Sequence, residues 1–180
     1  MELSHGGFLN PDKIIENLEI AAPGMKIADF GCGAGYFSLP LARMVRPGGE
    51  VFAIDVLDTA LQAVKSRSRS EGLFNITGIK GDLESAGGSQ LHDESQDAVL
   101  VANTLFQVTN KENVFKEVWR VLKHAGNLVF IDWSPDTPIG PPLGLKVDKE
   151  EIRQLAERNR FTFEKELAVD EFHYGLLFSK

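Results

Sequence analysis

Short apolar runs alternate with amphipathic segments along most of the chain, and that alternation predicts an α/β fold on a largely parallel sheet. Residues 26–30, 50–54, 75–79, 97–102 and 127–133 read as five successive strands. The fourth is almost continuously apolar, the pattern of a strand covered on both faces. Asn10 and Pro11 supply an N-cap and a first-turn residue for an opening helix with Ile14, Ile15 and Leu18 on its buried side. Leu39, Leu41, Ala42 and Val45 mark a second helix, where Pro40 is tolerated only near the first turn or at a bend, and Pro47-Gly48-Gly49 ends it.

Residues 59–71 form a third helix that buries Leu61 and Val64 and closes at Gly72. Residues 83–96 are polar, with a weak helical signal. Between 110 and 122, Val114, Phe115, Val118, Trp119, Val121 and Leu122 follow a 3.6-residue period, the clearest helix in the chain. Asp148 followed by Glu151 resembles a capping box for a last helix running to residue 158. Residues 161–167 and 171–178 read as two strands with a turn near 168–170, so one of them must run antiparallel to its neighbour. Residues 134–147, with Pro138, Pro141 and Pro142, form the long loop, and a long loop in a compact domain is commonly a substrate-side feature.

The 180 residues, 43% of them hydrophobic, suit one domain, residues 1–180, able to bury roughly 70% of its unfolded surface. The formal charge of −7 opposes an extended nucleic-acid footprint, which needs clustered Lys and Arg. Lys65, Arg67 and Arg69, the densest basic group, read as the solvated face of a helix. The single cysteine, Cys32, leaves no intramolecular disulfide; it reads as small-residue packing in a turn, with a reactive thiol as the alternative. Cys32, His5, His92, His124 and His173 show none of the short spacings of metal ligands, so no metal is expected. No apolar run approaches the roughly 18 residues of a membrane span, and the cytoplasm is the simplest location.

The chemistry concentrates where strand one turns into the second helix. Asp29-Phe30-Gly31-Cys32-Gly33-Ala34-Gly35 has glycine at alternate positions, and Asp55 follows at the end of strand two. Glycines so spaced let main-chain atoms approach a ligand, and the acid after strand two is placed for a ribose. A dinucleotide fingerprint requires a third glycine where Tyr36 stands.

The turn instead resembles the first motif of class I S-adenosylmethionine-dependent methyltransferases. That resemblance implies a Rossmann-like, doubly wound, seven-stranded, mostly parallel sheet with an antiparallel C-terminal strand. It implies S-adenosylmethionine as cofactor and S-adenosylhomocysteine as product. The implied cofactor residues are Asp29, Gly31, Cys32, Gly33 and Gly35 in the turn and Asp55 and Val56 after strand two, with Asp55 on the ribose hydroxyls. Gly81, Asp82 and Leu83 follow strand three, with the acid on the adenine amino group. Asn103 and Thr104 follow strand four beside the methionine part. Alone, the glycine turn is weak evidence, Gly81-Asp82 an ordinary turn dipeptide and Asn103 a strand-end cap; their order at successive strand ends is what a crevice across a parallel sheet requires.

Methyl transfer is an in-line displacement, so holding the nucleophile in place can supply roughly 7–11 kcal/mol, with a base needed only for a protonated acceptor. Asp132 and Asn103 are the catalytic candidates, acting by position. Asp132 either points into the crevice from strand five or caps the loop that follows. Trp133, His173 or Tyr174, and His5 are further acceptor-side candidates, and adjacent strand positions allow at most one of His173 and Tyr174 to reach the site. His124 stands where relatives often have proline and reads as a surface turn residue. Relatives often have a glycine near Arg160, a left-handed position that Asn159 is expected to take over.

Within the family the chain looks most like the ubiquinone and menaquinone biosynthesis group and the arsenite methyltransferases. One cysteine opposes arsenite chemistry, which needs several thiols. Asn103-Thr104-Leu105-Phe106 stands where adenine and glutamine amino-methylases carry an Asn-Pro-Pro-Tyr type of tetrapeptide, and no carboxylate pair follows strand five for a divalent ion. The expectation is therefore metal-independent transfer to a small molecule or an exposed protein side chain, by a monomer or homodimer. The alternatives are a non-catalytic or partner-dependent cofactor-binding subunit and an NAD-dependent oxidoreductase; Tyr36 and the terminal hairpin oppose the latter.

Overall fold

The computed structural model describes residues 10–18 and 20–180. The expectations for His5 and for the Leu18 side chain lie outside the described residues. Strands β1 (Lys26–Phe30), β2 (Glu50–Asp55), β3 (Ile76–Lys80), β4 (Gln96–Ala102), β5 (Leu122–Trp133), β6 (Thr162–Leu167) and β7 (His173–Ser179) form one seven-stranded sheet in the order β3-β2-β1-β4-β5-β7-β6. The pairings among β1 to β5 are parallel, and β7 runs antiparallel to both β5 and β6. The anticipated doubly wound sheet with an antiparallel C-terminal strand is therefore present.

Alternate side chains of the central strands feed two cores. Ala98, Leu100 and Ala102 of β4 pack with Ile14 and Ile15 of α1 (Pro11–Leu18) and with Leu39, Leu41 and Ala42 of α2 (Ser38–Met44). Val99 and Val101 pack on the other face with Val114, Phe115 and Val118 of α4 (Lys111–Val121) and with Ile152, Leu155 and Ala156 of α5 (Lys149–Arg158). Helix α3 (Asp58–Ser70) adds Val64 against Ala53 and Cys32. Pro40 occupies the first turn of α2, where its missing N–H has no helical partner to lose.

Several boundaries differ from the sequence reading for local reasons. β5 begins at Leu122, directly from α4: Leu122 pairs with Gln96, and regular pairing resumes at Asn127 with Ala98. Residues 83–95 hold turns and no helix, tied to α4 where the buried Glu117 carboxylate accepts from the Ser89 hydroxyl at 2.5 Å and from Gly87 N–H at 3.1 Å. The left-handed position after α5 falls on Arg160 (φ 75°), not on Asn159 (φ −92°). Asn159 instead turns its side-chain amide back to donate to Leu155 O. The Asp148 carboxylate caps α5 by accepting from Glu150 N–H. His124 is on the surface, its side chain 88% exposed.

Candidate active site

The sheet order reverses between β1 and β4, and a cavity of about 680 Å³ opens at their C-terminal ends. Such a switch point is where open α/β sheets bind ligands, and the volume is within the roughly 300–1,000 Å³ usual for small-molecule sites. The glycine turn forms its floor. Gly31 N–H and Cys32 N–H donate to Ile54 O at 2.9 and 3.0 Å, tying the turn to β2. Gly31 has φ +77°, and a Cβ there would stand 2.3 Å from Thr104 Oγ1. Thr104 Oγ1 itself lies 3.1 Å from Phe30 O and 3.0 Å from Ala102 O, latching the ends of β1 and β4 together. Above Gly33, by contrast, the space is open. Arg67 of α3 donates to Ala34 O at 2.8 Å and fixes the turn from behind.

Asp55 orients this turn. Its Oδ2 accepts from Gly33 N–H and its Oδ1 from Leu57 N–H, both at 2.9 Å, and each oxygen keeps capacity for a further donor. Asp82 is set by its own turn, accepting from Glu84 N–H at 2.9 Å and from the Ser85 hydroxyl at 3.0 Å. Asp29, 2% exposed, accepts from the Ser38 hydroxyl at 2.5 Å. Burial drives its pKa up to about 6, against the Ser38 hydrogen bond and with help from the Asp55 charge. The same burial, with Asp29 and Asp55 nearby, raises the Cys32 pKa, so Cys32 packs as an inert thiol.

Asp29, Asp55, Asp82 and Glu84 line the cavity, and among the described lining residues none is Lys or Arg. The field favours a positively charged ligand and opposes a pyrophosphate. Asp29, Gly31, Cys32, Gly33, Asp55, Val56, Gly81, Asp82, Leu83, Asn103 and Thr104 all line it. Gly35 does not; it stands behind, where a Cβ would meet Leu39 Cδ1 at 2.5 Å.

At the other end of the cavity the wall is Gln107, Val108, Trp133 and His173. The Trp133 and His173 rings are 4.1 Å apart between centroids. Asn103, in the left-handed region at φ 51°, holds its N–H to Ile131 O, places Nδ2 3.5 Å from His173 Nε2, and leaves a buried Oδ1 with no partner among the described residues. Tyr174 turns the other way, its hydroxyl donating to Val147 O at 2.9 Å. Asp132 is not in the cavity wall. It shares a strand face with Leu128 and Phe130, so it is fully buried toward the α4 and α5 side. Its Oδ1 accepts from Trp133 N–H, and burial pushes its pKa up to about 6. Sequence reasoning missed Ser38, Arg67 and Asp170; none lies in a motif, and each acts through a contact that only the fold creates.

A family model described as a methyltransferase domain matches residues 21–174. The chain belongs to the methyltransferase-domain family. It is a class I, S-adenosylmethionine-dependent member, as the glycine turn suggested. It is 31% identical over 121 residues to the ubiquinone/menaquinone biosynthesis C-methyltransferase UbiE of Pasteurella multocida, covering 67% of this chain and 43% of that protein. It is 32% identical over 117 residues to the demethylmenaquinone methyltransferase of Lactococcus lactis subsp. lactis, covering 64% of this chain and 45% of that one. The chain thus spans less than half the length of these curated relatives. In fold it resembles an S-adenosylmethionine-dependent methyltransferase from Aquifex aeolicus, with a TM-score of 0.86 at 24% identity, over 95% of this chain and 89% of that one. An arsenic(III) methyltransferase from Chlamydomonas reinhardtii shares the fold with a TM-score of 0.72 at 21% identity, over 89% of this chain and 64% of that one.

The site of this methyltransferase fits S-adenosylmethionine. The carboxylates suit a sulfonium and an ammonium, the space above Gly33 admits a ligand against the backbone, and the unpartnered Asn103 Oδ1 awaits a donor. Among the described residues no group of three or more His, Cys, Asp or Glu side chains is placed to hold a metal ion, and no helix is long and apolar enough to cross a membrane.

Proposed function

We propose that this methyltransferase passes the methyl group to a small acceptor seated against Trp133 and His173, without a metal. The observation that carries this reading is the asymmetry of one continuous cavity, whose lining is glycines and carboxylates at one end and indole, imidazole and amide at the other. S-adenosylmethionine, when bound, supplies a methyl group made electrophilic by a positively charged sulfur. Asp55 would accept from the ribose hydroxyls and Asp82 from the adenine amino group, and Asp29 and Asn103 would face the methionine part. Gly31, Cys32, Gly33 and Thr104 shape the floor, Gly35 supports it, and Val56, Gly81 and Leu83 flank the adenosine. Asp132 acts from below by holding the Trp133 backbone, while Asn103 positions side chains at the acceptor end.

Residues 134–147 are the substrate-side loop of a single domain. The loop is closed on itself by Lys146 Nζ donating to Thr137 O, and Gly140 stands so close to the Trp133 indole that a Cβ there would lie 2.5 Å from Cδ2. The names of the curated relatives point to C-methylation of quinone precursors, and a planar hydroxylated ring is the acceptor class proposed for this chain. The test is transfer of label from methyl-labelled S-adenosylmethionine to a naphthoquinol and phenol panel, run beside a total protein extract. Label in extractable small molecules supports the reading. Label confined to protein contradicts it and favours an exposed side chain as acceptor.

A further inference from the structure

The turn between β6 and β7 brings an acid, Asp170, against an imidazole of the acceptor wall, His173. Asp170 Oδ1 accepts from Phe172 N–H at 2.8 Å and from His173 N–H at 2.9 Å, so the backbone sets the direction of its carboxylate. His173 Nδ1 lies 2.9 Å from the same oxygen and 3.1 Å from Oδ2. An ionised carboxylate only accepts, so Nδ1 carries the hydrogen and the neutral ring keeps its lone pair on Nε2. The His173 side chain is 1% exposed, the Asp170 side chain 12%, and the imidazole packs on the Trp133 indole, so the ring is held in one orientation.

Nε2 faces Asn103 Nδ2, a donor at 3.5 Å. That distance is the outer limit of a hydrogen bond, so the contact suits an acceptor nitrogen while leaving it weakly engaged. Of the neighbouring titratable side chains, Tyr174 and Asp132 point away from the cavity, whereas Tyr36 lines it, its pKa raised by burial and, further, by charges that include Asp170.

We propose that His173 is the general base of the transfer and that Asp170 is the positioning residue that fixes its tautomer; the inference rests on the small-acceptor reading above. The acceptor's O–H bond breaks, its electron pair stays on the acceptor, and the proton bonds to Nε2. The imidazolium that results is stabilised by the Asp170 carboxylate. The pair on that oxygen then bonds the methyl carbon while the C–S pair returns to sulfur, and the proton leaves the imidazole to water as product departs. A base so placed contributes roughly 10²–10⁴-fold to the rate for an acceptor that arrives protonated.

The experiment uses the full chain with S-adenosylhomocysteine. Nitrogen-15 NMR of the His173 ring at neutral pH is expected to show Nδ1 protonated and Nε2 bare, with that preference lost in Asp170→Asn; a protonated Nε2 overturns the proposal. Turnover is then measured at about pH 8 with phenol, which arrives protonated, and with 4-nitrophenol, which arrives largely as the anion. His173→Gln is expected to lower kcat for phenol by about 100-fold or more and kcat for 4-nitrophenol by only about a few-fold, with S-adenosylhomocysteine still bound. Asp170→Asn gives the same pattern more weakly. Equal losses for both acceptors mark a structural role and overturn the proposal, as does a wild type that binds S-adenosylhomocysteine yet methylates neither phenol. Failure of the small-acceptor reading shows differently, as label passing only to protein.

Discussion

The two ends of the cavity are built by different means. The cofactor end is built around backbone: a glycine turn held to Asp55 through Gly33 N–H and latched by Thr104, all within the parallel half of the sheet. The acceptor end comes from side chains that the antiparallel β7 returns to the edge of β5, where His173 pairs in register with Trp133. Backbone geometry serves a ligand common to a family, whereas a side-chain wall can change its acceptor without disturbing the floor. Substitutions at the first end should therefore lower cofactor affinity, and those at the second should lower turnover alone.

The largest effect is expected at Gly31. Gly31→Val puts a branched side chain at a positive φ against Thr104, and S-adenosylhomocysteine affinity should fall by more than about 100-fold in calorimetry. Asp55→Ala removes the acceptor for Gly33 and Leu57 N–H, and a loss of about 2–3 kcal/mol in the same titration is expected.

Asp29 sharpens the comparison through pH. Its folded pKa of about 6 lies above the 3.8 of the free side chain, so the folded state prefers the neutral acid. Stability is lost as pH rises between those two values and levels off above about 6. Asp29→Asn removes the loss, so its stability relative to wild type should improve by about 1–2 kcal/mol from pH 5 to pH 7.5 in urea denaturation, while cofactor affinity falls. At the acceptor end, Gly140→Ala forces a Cβ at φ +88° into the Trp133 ring and should lower turnover about 10-fold with unchanged S-adenosylhomocysteine affinity. The smallest change is expected for Arg67→Ala, which frees Ala34 O and should weaken cofactor binding about 2–5-fold.

The same division decides what the sequence made legible. Asp29, Gly31, Gly33, Asp55 and Asp82 were readable as lining one crevice because residue type and position at a strand end bring them there. The strand periodicities likewise carried the sheet and its antiparallel strand. Asp132 was misleading because strand parity, not proximity to the strand end, sets its direction: it follows Leu128 and Phe130 onto the α4 and α5 side. Arg67 reads as part of a solvated stripe, since nothing in the local sequence shows its guanidinium reaching Ala34 O. The Asp170 and His173 pair has helix-like spacing but spans the connection into β7, so its geometry exists only once the hairpin closes. Arg160 takes the left-handed position because Asn159 spends its side chain on Leu155 O.

The central claim is that the carboxylate-lined cavity is made for a cationic, phosphate-free nucleoside and not for a dinucleotide. Calorimetric titration of the purified chain with S-adenosylhomocysteine and, separately, with NAD tests it directly. Saturable binding of S-adenosylhomocysteine, lost in Asp55→Ala and absent for NAD, is the predicted result; binding of NAD alone, or of neither, would contradict it.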